Sequence, residues 1–154
     1  MSDNKILSQD EILKLDDNEY RFAVVVNGKE ESIGRIMNAI GHSMAGLVGK
    51  SDVSDFCFID YQDQTGEIHP SISHYPTIIL KAKNSNQVLT ARQKAKENGI
   101  AFVDFTETMT VGSSKAQLAE TKDVATDDLN YFAVAMFGKT ADLKEITGKF
   151  SLYK

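Results

Sequence analysis

The stretch FAVVVNGKEESIGRIMNAIGHSMAGLVG, from Phe22 to Gly49, constrains this chain more than any other. Phe22 to Val26 is a continuous apolar run rich in β-branched residues, the pattern of a strand covered on both faces. The loop Asn27-Gly28-Lys29-Glu30-Glu31 then leads to a helix predicted from about Ser32 to Leu47, with Ser32 as its N-cap. Ile33, Ile36, Met37, Ile40, Met44 and Leu47 recur at helical spacing and predict one inward stripe. Arg35, Asn38 and His42 stand three and four residues apart on the other side, one above the next, among Gly34, Ala39, Ala45 and Gly46. A solvated face normally carries Lys and Glu. This one is small and sparsely polar, which implies that something comes close to it.

The order strand, glycine loop, helix N-terminus also suits a phosphate site. Two features count against it. Gly28-Lys29 lacks the earlier glycine and the following Ser or Thr of a P-loop, and Glu30 with Glu31 places negative charge where a phosphate would sit.

Before this unit, residues 1–19 read as an N-terminal extension, with Ser8 and Glu11 spaced as a capping box. After it, Phe56, Phe58 and Ile59 lie in a β-prone run. The turn signal Asp63-Gln64-Thr65-Gly66 follows, so a hairpin-like insert is expected at about 50–75. Pro70 and Pro76 should hold the intervening segment extended. Thr77 to Ala82 predicts a second core strand, and Asn84 or Ser85 caps a helix that Gly99 ends. Ile100 to Phe105 predicts a third strand, Ser114 to Lys122 a short helix and Tyr131 to Phe137 a fourth strand. A helix capped by Thr140 closes the pattern.

Strands alternating with helices predict an α/β fold in three layers. A mostly parallel or mixed four-stranded sheet should carry helices on both faces. Residues 20–154 are expected to form a single α/β domain, and no internal repeat or linker interrupts them.

The chain has 154 residues, 42% apolar and 25% charged, ordinary values for a globular domain. No apolar run is long enough for a membrane span, and the first residues lack the apolar core of a signal peptide. Cys57 is the single cysteine, so no internal disulfide forms and a reducing, cytoplasmic setting is expected. Between its two aromatic neighbours, Cys57 itself reads as core. A formal charge of -5 disfavours tight binding of tRNA or other nucleic acid, which depends on neutralising phosphates.

Chemistry is expected at the carboxyl ends of the strands, where α/β sheets gather ligands. Asp104 lies near the end of the third strand, followed by Thr106 and Thr108. If the first and third strands are neighbours, these residues converge on the helix bearing Arg35, Asn38 and His42. His42 or Asp104 would then act as general base on water, with Asn38 or a Thr hydroxyl orienting a carbonyl or oxyanion. The plain alternative is that Asn38 and His42 bond nearby backbone groups and that Asp104-Phe105-Thr106 is a strand-end turn. No Ser or Cys sits in a nucleophile setting. His42, His69 and His74 match no zinc spacing, and neither metal nor cofactor is expected.

Gly34-Arg35-Ile36 with His42 eight positions after Gly34, then TIILKA, a helix, AFVDFTET and a closing strand resembles type II peptidyl-tRNA hydrolases over about Tyr20 to Phe137. Gly34, Ile36 and His42 match that family's first-helix motif G-K-[IL]-A-A-Q-x-x-H-A. Asp104 and Thr108 match the ends of its D-x-G-x-T. The family's catalytic lysine falls on Arg35, its glutamine on Ala39 and the glycine of D-x-G-x-T on Thr106. Arg stays protonated and presents a planar fork, so it does not replace a catalytic lysine. Asn38-x-x-x-His42, the insert and Asp104 to Met109 are more similar to an uncharacterised bacterial family with that fold. The resemblance therefore implies the fold more firmly than an activity.

Three expectations follow. The first is a divergent hydrolase of an ester- or amide-linked substrate, with Asp104, His42 and Thr108 catalytic and Arg35, Asn38 and Thr106 holding a small-molecule or aminoacyl-type ligand. The second is a non-catalytic module binding an anionic metabolite in the same pocket. The third is an interaction domain, a homodimer formed through the N-terminal segment and the first helix.

Overall fold

The computed structural model describes residues 6–154; residues 1–5 of the expected extension lie outside the described residues. Helix α1 is a single turn, Gln9–Ile12, closed by the capping box expected from Ser8 and Glu11. Strand β1 (Tyr20–Asn27) leads to helix α2 (Ile33–Lys50), whose N-cap is Ser32. A 3-10 turn (Val53–Phe56) precedes the hairpin of β2 (Phe58–Gln62) and β3 (Ile68–Ser73). Then come β4 (Thr77–Ala82), α3 (Ser85–Glu97), β5 (Ala101–Thr106) and a second 3-10 turn (Glu107–Thr110). Helix α4 (Ser114–Lys122), β6 (Tyr131–Lys139), α5 (Thr140–Thr147) and the short β7 (Ser151–Leu152) complete the chain. No described helix is long and apolar enough to cross a membrane.

The main sheet has five strands, not the expected four, in the order β5-β6-β1-β4-β7. The extra strand comes from the tail, where Leu152 pairs with Leu80 and Ser151 with Lys81. Parallel pairing is confined to β1 and β4; β6 runs antiparallel to both β1 and β5. The sheet is therefore mixed, and β1 and β5 are not neighbours. Both still point the same way, so their carboxyl ends share one edge.

Alternation along the central strands divides the interior in two. Ala23 and Val25 of β1 join Val88, Ala91, Ala95, Leu143 and Ile146 beneath α3 and α5. Phe22, Val24 and Val26 point the other way and pack against Ile36, Ala39 and Leu47 of α2. Both faces of β1 and β6 are thus covered, which is why their sequences read as unbroken apolar runs.

The inward stripe of α2 differs from the expected one. Ile36, Ala39, Ser43 and Leu47 are buried, whereas Ile33 and Met37 are 64% and 67% exposed. Small residues let the helix sit close to the sheet: a Cβ added at Gly46 would stand 3.2 Å from a methyl of Val103. Ser43 is tolerated in the core because its hydroxyl donates to the Ala39 carbonyl at 2.7 Å.

The extension is tied to the hairpin. Ile12 packs with Cys57, Ile59 and Tyr75, and the Gln9 side chain bonds both the N–H and the carbonyl of Asp60. Cys57 is buried as expected, but it ends a 3-10 turn in the left-handed region (φ 48°) rather than lying within a strand. Gly99 ends α3 at φ +65°, the conformation that glycine supplies without a steric penalty. Lys139, not Thr140, occupies the N-cap position of α5; the Thr140 hydroxyl instead accepts from Arg21 Nε at 3.1 Å.

Candidate functional site

The loop after β1 is the first place where the sequence suggested ligand chemistry, and it is internally satisfied. Gly28 N–H donates to the Ala82 carbonyl, Lys29 N–H to Asn27 Oδ1, Glu30 N–H to the Asn27 carbonyl and Ser32 N–H to Glu30 Oε1. Those amides are committed within the chain, so the loop is no phosphate cradle. Gly28 is required for a different reason. A Cβ there would lie 2.4 Å from the Ala82 carbonyl oxygen, where β1 meets β4.

Helix α2 carries Arg35, Asn38 and His42 into one open groove of about 530 Å³. Ser32 and Gly34 also line it, and Met109, Thr110 and Gln117 form the opposite wall. The helical spacing that stacks the three polar residues is the reading made from sequence, and here they do share a surface. The Arg35 guanidinium is 3.8 Å from the Glu30 carboxylate and its side chain is 58% exposed, so the pair holds it loosely. The His42 ring stacks on Phe105, centroids 5.4 Å apart and planes 20° from parallel, which fixes one side of the imidazole.

The expected convergence of Asp104 on this groove does not occur. Phe105 belongs to the α2 side of the sheet. A strand turns successive side chains to opposite faces, so Asp104 emerges toward α3. There its Oδ2 accepts from Arg92 Nε at 2.6 Å, and the same guanidinium lies over the Phe102 ring, 5.3 Å from its centroid. The sheet stands between Asp104 and His42. A carboxylate engaged in this way is a structural ion pair, and Asp104 is not among the residues that line the groove.

Thr106 and Thr108 are also placed differently from the expectation. Both are buried and neither lines the groove. Their hydroxyls form a chain whose direction can be worked out. Thr121 Oγ1 donates to the Gln117 carbonyl at 2.7 Å, so it accepts from Thr108 at 2.7 Å, which in turn accepts from Thr106 at 2.9 Å. All three protons are committed. The chain fastens α4, a helix with no buried residue of its own, behind the groove wall that Gln117 contributes.

The remaining wall residues had unequal signals in the sequence. Met109 is the last residue of the group that begins at Asp104, and Thr110 directly follows it. Gln117 had none, because an unpatterned surface helix gives no hint of which turn faces a neighbour. The histidines stand apart: His42 is on Phe105, His69 faces Asp63 at 3.2 Å and His74 faces the Leu15 carbonyl at 3.2 Å. Among the described residues no group of three or more His, Cys, Asp or Glu side chains could hold a metal ion.

Comparison with curated proteins finds no match. Among solved structures, a protein of unknown function from Agrobacterium tumefaciens strain C58 superposes with a TM-score of 0.75. It is 17% identical, and the alignment covers 88% of this chain and 98% of that one. At that identity the likeness concerns the fold. Residues 20–154 match the family described as "Protein of unknown function (DUF2000)", and that span starts at the first residue of β1, leaving the extension outside. The chain belongs to the DUF2000 family.

Proposed function

We propose that the groove on α2 binds a small anionic ligand, and that the domain is a binding module on a type II peptidyl-tRNA hydrolase-like fold. One observation carries this reading. Arg35, Asn38 and His42 share an open groove with Thr110 and Gln117, while Asp104, the acid expected to activate water, sits across the sheet against Arg92. A guanidinium whose one ion-pair partner among the described residues is 3.8 Å away can exchange it for the carboxylate or phosphate of a ligand. The amides and hydroxyl around it supply orientation rather than charge. The acidic balance of the chain suits a compact anion better than a long polyanion.

The test is an amide-shift titration with inorganic phosphate and with an N-acetyl amino acid as an aminoacyl-type probe. Shifts should centre on Arg35, Asn38, His42 and Gln117, and Arg35→Gln should weaken binding roughly tenfold or more, the scale of a lost charge-assisted hydrogen bond. Shifts confined to other surfaces would sink the assignment. A hydrolytic reading keeps one observation in its favour, namely that His42 and Asn38 face the same open space. Release of product from peptidyl-tRNA that disappears in His42→Ala but survives in Asp104→Asn would favour hydrolysis over binding alone.

A further inference from the structure

At the opposite end of the sheet from the α2 groove lies a larger cleft of about 590 Å³. It is lined by Leu7 and Leu15 of the extension, Tyr20 at the start of β1, Cys57, Tyr75 and Phe137. Tyr20, Tyr75 and Phe137 form a triangle of rings with centroids 5.4 to 6.0 Å apart. The charged residues in the lining, Asp55, Lys139 and Asp142, are all exposed, whereas the buried members, Cys57 and Tyr75, carry no charge. Tyr75 is only 6% exposed. A tyrosine so buried normally finds a good hydrogen-bond partner. Among the described residues the one polar partner of its hydroxyl is the Cys57 thiol. The thiol proton is directed to the Ser54 carbonyl at 3.7 Å, which leaves the Tyr75 proton facing a sulfur, a weak acceptor. Burial keeps that hydroxyl protonated far above neutral pH, so it serves as a donor.

We propose that this cleft is a second ligand site, taking a small neutral molecule with an apolar body and a carbonyl oxygen that accepts from Tyr75. The rings and the two leucines enclose the body. The carbonyl gives Tyr75 the strong acceptor that the described residues do not. Nothing in this site touches Arg35 or His42, so it stands or falls independently of the anion groove.

The experiment uses the full-length protein with two probes, acetophenone and α-methylstyrene, in which a methylene replaces the oxygen. Binding is read from the amide shifts of Tyr20, Cys57, Tyr75 and Phe137 and from the alkylation rate of Cys57, the single cysteine. Acetophenone is expected to move those signals, slow alkylation and bind roughly fivefold tighter than the hydrocarbon, the scale of one net hydrogen bond. Tyr75→Phe, with an unchanged circular dichroism spectrum, should abolish the preference. Equal affinity for the two probes in the unaltered protein overturns the proposal, as does the absence of any response to either; both comparisons need no variant.

Discussion

Removing the Asp104 carboxylate tests the placement of this residue more sharply than any other change. Asp104 and Arg92 are 17% and 20% exposed at their side chains, between a surface ion pair and a buried one. Exposed pairs contribute about 0.2–1 kcal/mol, and breaking a fully buried pair costs about 3–5 kcal/mol. Asp104→Ala leaves the Arg92 guanidinium with the Phe102 ring and a 3.4 Å bond to Gln93 Oε1, so the expected cost is about 2 kcal/mol. Arg92→Met keeps the stem that packs on Phe102 and removes the charge. The double variant should then lose about 1 kcal/mol less than the sum of the singles. Urea unfolding followed by far-ultraviolet circular dichroism suits a chain with no tryptophan. Additivity within about 0.3 kcal/mol would mean that the pair is not energetically real. A second arm checks position: Asp104→Asn should leave phosphate binding at the α2 groove unchanged, because the sheet lies between. Lost binding in a variant of native stability would refute the assignment of Asp104 to the far face.

Three other outcomes are expected. Thr108→Val cuts the hydroxyl chain in the middle, stranding the Thr106 proton, and should cost about 1–2 kcal/mol while hydrogen exchange in α4 accelerates more than in α3. Gly28→Ala drives a Cβ against the Ala82 carbonyl and should destabilise by about 2 kcal/mol or more, seen as a lower urea midpoint. Burial, with Cys57 beside it, pushes the Tyr75 hydroxyl up to about 12 from 10.0. The folded state therefore holds that proton longer than the unfolded chain does, so its contribution is complete below pH 10 and is lost as pH rises toward 12. Tyr75→Phe should flatten the fall in stability across that window.

Much of the fold was legible because the relevant signals are local. The apolar runs at Phe22, Thr77, Ile100 and Tyr131 mark strands, those of β1 and β6 being covered on both faces, and Ser8, Ser32 and Asn84 do cap their helices. Strand order was not legible. In the sheet β6 lies between β1 and β5, a choice made by packing between residues more than a hundred positions apart. The same limit explains the site. Periodicity assigned Arg35, Asn38 and His42 to one side of α2 correctly, since a helix carries its own geometry. For Asp104 it offered no face, because Val103 and Phe105 on one side and Phe102 on the other are all apolar. Only the positions of α2 and α3 decide which set meets which helix. The α2 stripe was misjudged for a related reason: Ala39 and Ser43 are inward because the helix sits close to the sheet, and neither is a strong hydrophobic signal by itself.

One contact near the end of α2 bears on how the protein behaves when crowded. Strand β5 is an outer strand of the main sheet, and Lys50 at the last residue of α2 donates to the Phe102 carbonyl at 3.0 Å while its ammonium lies 5.4 Å from that ring's centroid. An uncovered strand margin is a template on which another chain can extend the sheet, the first step toward insoluble assemblies. Here a positive charge is posted near the start of that margin, at the second residue of β5, and one of its acceptors is already taken. An incoming strand would have to displace the lysine and meet its charge. Helix α2 therefore shapes a groove with one end and guards against runaway association with the other.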